Sequence, residues 1–181
     1  MSGRTPREAV DNYVRPLQRA VSCVSDAVVQ LLADGRKEGA VRGFVVNQNE
    51  SFSLAGPQRF LLNVSQRYEV VQATGDKGPW KVSTRGYQYH LVTADHTEVL
   101  LWHWHPVGFS SYDQPHMHAG RAVLDPGGVL TRKAHLPTGR VAIEEMLLLL
   151  ISDFQVVPRR SDFSEVLLDN LQAFKRYRTW A

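Results

Sequence analysis

Apolar residues recur at intervals of three and four from Val10 through Tyr13, Val14, Leu17, Ala20, Val21, Val24, Val28, Leu31 and Leu32. That spacing lays one apolar stripe along a helix. Thr5 can cap its start, Pro6 suits the first helical position, and Glu8 can reach back to the cap's own amide. The pattern predicts a long N-terminal helix over 6–34, stopped by Gly35. Pro16 lacks an amide hydrogen and crowds the preceding turn, so a kink or a division into two segments is expected there. Such a stripe needs a sheet or a partner, a second copy of the same helix included, to cover it.

From 39 to 124 the period shortens. Runs at 41–46, 60–64, 68–73, 80–92, 98–105 and 119–124 are rich in β-branched and aromatic residues and read as strands. The breaks at 47–49, 55–57, 75–78, 93–96 and 125–128 carry mostly turn chemistry. Connections this short suit hairpins better than parallel crossovers, so the expectation is an antiparallel meander. Helical spacing returns with Val141, Ile143, Met146, Leu147 and Leu150, with Glu144 and Glu145 in the early turns. After Pro158, Ser161 can cap a further helix whose face is Val166, Leu167, Leu171 and Phe174, ending in Lys175, Arg176 and Arg178. The expected architecture is one α+β domain over 1–181: a helical segment at 6–34, a sheet at 39–124 and two packed C-terminal helices within 139–177.

Composition narrows the class. At 43% hydrophobic and 22% charged residues the chain is neither disordered nor collagen-like. No apolar run reaches the roughly 20 residues needed to cross a bilayer. The first eleven residues mix Arg4, Arg7, Glu8 and Asp11 with no apolar core, unlike a secretory signal, so a cytoplasmic location is expected. Cys23 stands alone, which excludes an internal disulfide and a cysteine-rich zinc site; it reads as a buried small hydrophobe. The formal charge of +3 permits an acidic partner such as RNA without demanding one.

The candidate chemistry is histidine. Six of the seven histidines lie between His90 and His118, with His135 outside, and they alternate in His103-Trp104-His105 and His116-Met117-His118. Alternate strand positions share a face, so His103 and His105 should point with Val99 and Leu101, and Leu100, Trp102 and Trp104 the other way. Two His-x-His pairs can supply three or four nitrogens to one divalent ion, zinc or manganese. The same imidazoles can act as acid and base on a phosphodiester, with Arg121 supporting charge. Tyr87, Tyr89, Tyr112, Trp102 and Trp104 would then be candidates to stack on bases of RNA. Against both readings, His90 and His96 suit a role satisfying backbone carbonyls, and the tryptophans suit a core. The segment 107–114 reads as an exposed loop joining the two pairs. A triad of Ser110 or Ser111 with His116 and Asp113 lacks the Gly-x-Ser-x-Gly elbow, and no phosphate-binding loop is present.

The succession Tyr87-x-Tyr89-His90, a strand carrying Trp102, Pro115-His116-x-His118-x-Gly120 and Ile143-Glu144-Glu145 resembles the TumE-type toxins of prokaryotic toxin–antitoxin pairs over about residues 80–153. The resemblance implies an intracellular toxin, neutralised by a cognate antitoxin, with RNA or the translation apparatus as target. Only Tyr87, Tyr89, His90, Pro115, His116 and His118 carry over. The long N-terminal helix, the His103-x-His105 pair and the helix after Pro158 depart from the family pattern. Two functions follow as expectations: a toxin acting on RNA through His103, His105, His116 and His118, or a non-catalytic binding or regulatory protein whose histidines pack or hold a metal.

Overall fold

The structure is a computed structural model and describes residues 2–32, 41–72, 78–106 and 112–177. Three helices pack with an antiparallel sheet, as the α+β pattern predicts. Helix α1, Pro6–Val21, starts where the cap signals place it: the Thr5 hydroxyl accepts from the Glu8 amide at 3.1 Å. The Glu8 carboxylate reaches one residue further back than expected and accepts from the Arg4 amide at 2.9 Å. Pro16 lies inside the helix without dividing it.

The helix does not run to residue 34. It ends at Val21, and Val29–Leu31 form a short strand, β2, antiparallel to β3, Arg42–Val46. Gln18 anchors the reversal, its Oε1 accepting from the Val29 amide at 2.8 Å and its Nε2 donating to the Ala27 carbonyl at 3.0 Å. The valines at 24, 28 and 29 continue a helical spacing but also suit a strand, and pairing with β3 decides between them. The expected stop at Gly35 and the sheet's expected start at 39 lie outside the described residues.

Strands β5, Phe60–Gln72, and β6, Trp80–Thr93, pair along their whole lengths and form the centre of the sheet. The expected runs at 60–64 and 68–73 belong to one strand as far as Gln72, and residue 73 lies outside the described residues. Sheet order is β2-β3-β5-β6-β7-β8-β9, with β7 Glu98–Trp104, β8 His116–Ala119 and β9 Leu136–Pro137. Two short strands complete it: β1, Ser2–Gly3, on β6, and β4, Phe52–Leu54, on β5. The sheet thus reaches beyond the expected 39–124 at both ends. Of the expected strand at 119–124 only Ala119 is strand, as the end of β8; the chain then turns, with Gly120 so close to the Glu98 carbonyl that a Cβ would stand 2.1 Å from its oxygen and the Ala122 amide bonding that same oxygen at 3.0 Å.

Alternation sorts the side chains. Phe60, Leu62, Val64, Gln66, Tyr68 and Val70 of β5 are buried, as are Tyr87, Tyr89 and Leu91 of β6. They share one core with Val10, Tyr13 and Leu17 of α1 and with Met146, Leu147, Leu150, Val166 and Leu167 of α2, Ile143–Ser152, and α3, Phe163–Tyr177. The α1 stripe is thereby covered within the chain. Helix α2 begins later than Pro137-Thr138 suggests because Leu136 and Pro137 pair with β8; the Glu145 carboxylate accepts from the Ala142 amide at its start. Cys23 is fully buried, as expected. Among the described residues no helix is long and apolar enough to cross a membrane.

Candidate metal centre

Residues opposite one another in an antiparallel ladder share a face. The registers Gln88↔His103 and His103↔His116 therefore put these three side chains in one transverse row, and His90↔Leu101 with Leu101↔His118 make the next. Both rows lie on the face of the sheet away from the helices. Tyr87↔Trp104 and Tyr89↔Trp102 alternate with them and face the core.

On the open face five imidazoles meet. The ring of His103 lies 4.1 Å from His116, 4.6 Å from His105 and 5.0 Å from His118 between centroids. His135 closes the group at 4.7 Å from His116 and 4.8 Å from His118, and Tyr112 stacks on His135 at 4.7 Å. One nitrogen each from His103, His116 and His118 falls within 4.8 Å of the others. A tetrahedral ion with nitrogens at about 2.0–2.1 Å separates its ligands by roughly 3.4 Å, so modest ring rotation would complete such a site.

The tautomers are set from outside the cluster. Nδ1 of His116 bonds the Gln114 carbonyl at 2.6 Å, and Nδ1 of His118 the Arg132 carbonyl at 3.2 Å. A carbonyl only accepts, so each Nδ1 carries the proton, and each Nε2 of the neutral ring keeps its lone pair. Nε2 of His116 is buried without a hydrogen-bond partner, and so is Nε2 of His103. Burial, reinforced by the neighbouring imidazoles His116, His105, His118 and His135, pushes His103 down to about 3. Burial also lowers His116, against the opposing effect of the Gln114 carbonyl. Both rings are neutral at pH 7. Buried and unpartnered imidazole nitrogens within one cluster are a donor set that a transition-metal ion satisfies, and the carbonyl bonds of His116 and His118 are the usual support for such ligands.

The other expected site residues separate from this group. Tyr87 and Tyr89 are buried on the helix face, stacked on each other at 4.9 Å. The Tyr87 hydroxyl accepts from the Val141 amide at 3.0 Å, and the Tyr89 hydroxyl accepts from Gln66 Nε2 at 2.6 Å. Burial raises both phenols. Trp104 donates from Nε1 to the Asp113 carbonyl at 3.1 Å and carries the Arg140 guanidinium 3.7 Å over its ring. These three side chains therefore face the core rather than the imidazole row, against the expectation of a base stacked there, although Tyr87 and Trp104 also line the groove beside His103 and His105; the cause is the one-residue alternation along β6 and β7. Arg121 is exposed in the turn after β8. His90 pairs not with a carbonyl but with the Glu98 carboxylate at 3.0 Å. Of the imagined triad, Ser110 and Ser111 lie outside the described residues, and Asp113 accepts from Gln114 Nε2 at 3.0 Å.

His135 was not expected in the site. It lies 17 positions beyond His118, and nothing in its own surroundings marks it. It arrives because Met117↔Leu136 and His116↔Pro137 register β9 against β8, which sets His135 beside His118. Comparison of the chain with family models, with curated proteins and with solved structures finds no match.

Proposed function

We propose that this protein is a metal-dependent hydrolase whose ion is held by His103, His116 and His118, with His105 and His135 at its rim. The observation that carries the reading is the pair of buried, unpartnered Nε2 atoms of His103 and His116 inside a cluster in which the Nδ1 atoms of His116 and His118 are already bonded to carbonyls. Three imidazoles suit zinc first and manganese less well. With three protein ligands and an open position, such an ion supplies Lewis acidity and an activated water. The chain's own part is to orient His116 and His118 through the Gln114 and Arg132 carbonyls, while burial keeps His103 and His116 neutral.

The resemblance to TumE-type toxins, carried by Tyr87, Tyr89, His90, Pro115, His116 and His118, supports RNA as the substrate, a toxin's role in the cytoplasm and a cognate antitoxin as partner. A second reading has a specific observation in its favour. His135 and His105 bring the number of imidazoles to five, enough to close a four-coordinate ion, and a closed site staples a fold without turnover.

Metal analysis of the purified chain, with His103→Ala and His116→Ala beside it, tests the proposal. The expected result is about one zinc or manganese ion per wild-type chain, lost in both variants, together with metal-dependent RNA cleavage and growth inhibition by the wild type alone. Stoichiometric metal without turnover selects the stapling role. A wild type that stays metal-free after incubation with zinc and manganese sinks both.

A further inference from the structure

Beside the imidazoles the open face of the sheet forms a groove of about 670 Å³, within the size range of small-molecule sites. Its floor is two transverse rows of ladder partners. One runs Val45↔Ser65, Ser65↔Gln88, Gln88↔His103 and on to His116; the other runs Gly43↔Arg67 and Arg67↔Gly86, next to His105. The groove thus leads from the metal-centre wall on β7 across β6 and β5 to β3.

Charge in the groove is one-sided. Among the described lining residues the fixed charges are Arg42 and Arg67, and no Asp or Glu lines it. Arg42 is registered against the buried Tyr68, so its position alternates to the helix side, which leaves Arg67 as the charge the ladder places on the open face. Arg67 makes no ion pair among the described residues, and the reason lies in the ladder. The register slips between Arg67↔Gly86 and Tyr68↔Thr84, leaving Arg85 as an extra residue, and Arg85 takes the nearby Glu69 carboxylate with Nε and a terminal nitrogen, both at 2.8 Å. The bulge therefore spends the local acid on the wrong arginine for neutralising the groove.

Gly86 lets Arg67 lie down. A Cβ at Gly86 would stand 3.1 and 3.2 Å from the Arg67 guanidinium nitrogens and 2.8 Å from the Trp104 carbonyl oxygen. With no side chain there, the guanidinium rests against β6 beside Trp104, one residue before His105, and its donors stay available. A planar fork of donors with no acid of its own is the group that recognises an oxyanion by two parallel hydrogen bonds.

We propose that the groove docks an oxyanion of the substrate, a phosphate or a carboxylate, on Arg67, and so presents the rest of the substrate to the imidazoles two strands, roughly 10 Å, away. The inference rests on the metal-centre reading for what happens at the reacting end; the docking itself stands without it.

Calorimetric titration of the full chain, zinc-loaded and zinc-free, with phenyl phosphate, benzoate and benzyl alcohol tests it. An anion is expected to bind, benzyl alcohol not, and Arg67→Gln to weaken the anion by about tenfold at unchanged zinc content. Arg67→Lys, which keeps the charge and loses the fork, should recover part of that loss. Preference for phenyl phosphate assigns a phosphate, and preference for benzoate a carboxylate. Arg67-dependent binding that survives removal of zinc upholds the dock even where the metal reading has failed. Binding of both anions within twofold of wild type in Arg67→Gln, or benzyl alcohol binding as tightly as either, overturns it.

Discussion

Trp102, His103 and Trp104 are consecutive in β7, yet they belong to regions in opposite conditions. On the helix face every buried polar group near the two tryptophans has found a partner: the Tyr13 hydroxyl donates to Gln66 Oε1 at 2.6 Å, Gln66 Nε2 donates to the Tyr89 hydroxyl at 2.6 Å, and that hydroxyl donates to the Val141 carbonyl at 3.3 Å. On the open face the Nε2 atoms of His103 and His116 are buried with none. A folded chain seldom leaves buried donors or acceptors unmet. The contrast teaches that the polar groups around Gln66 satisfy one another within the chain, whereas the open face keeps two unmet nitrogens that the proposed metal ion would take.

The contrast can be broken or sharpened by changing one face at a time. The largest effect belongs to the core side. Leu62 is fully buried beneath the helices, and Leu62→Ala should cost about 2–5 kcal/mol in urea denaturation while zinc stoichiometry stays the same. A loss of metal alongside the loss of stability would mean that the two faces are not separable.

On the helix side the Glu144 carboxyl, like the imidazoles of His103 and His116, is pushed toward its neutral form by burial. It is 4% exposed, and burial lifts its carboxyl from 4.5 to about 7. The folded state therefore holds its proton more tightly than the unfolded chain, so this group's contribution is most favourable below about pH 4.5 and declines as pH rises to 7. Glu144→Gln should stabilise the protein by about 3 kcal/mol at pH 8 and by close to nothing at pH 4.5. Equal effects at the two pH values would show that ionisation of Glu144 is not what costs stability.

On the open face, zinc at a free concentration of about 100 times its dissociation constant should raise stability by about 2.7 kcal/mol, a gain removed by a chelator and absent in His116→Ala. Thermal unfolding with and without zinc checks it. An equal rise in His116→Ala would place the ion elsewhere.

Local signals were strong wherever a single element decides its own structure. Thr5-Pro6 marks the start of α1, the β-branched runs mark the strands, and His103-x-His105 with His116-x-His118 announces two pairs that each share a face. The end of α1 was hidden, because Val24, Val28 and Val29 satisfy both periods and only Gln18 and β3 choose between them. The side on which Tyr87 and Tyr89 fall relative to the imidazoles was hidden as well. That depends on the register of β6 against β7, and a slip of one residue would exchange the faces.

Residue spacing along the chain was enough to determine the fold class, the helix start and the identity of four of the five clustered histidines, since each of these rests on contacts within one turn or one strand. The tertiary structure alone decided that His135 joins them, that Tyr87, Tyr89 and Trp104 stay behind in the core, and that Arg67 has no acid partner among the described residues. All three follow from which strands pair and in what register, and pairing joins residues whose distance along the chain says nothing about their distance in space.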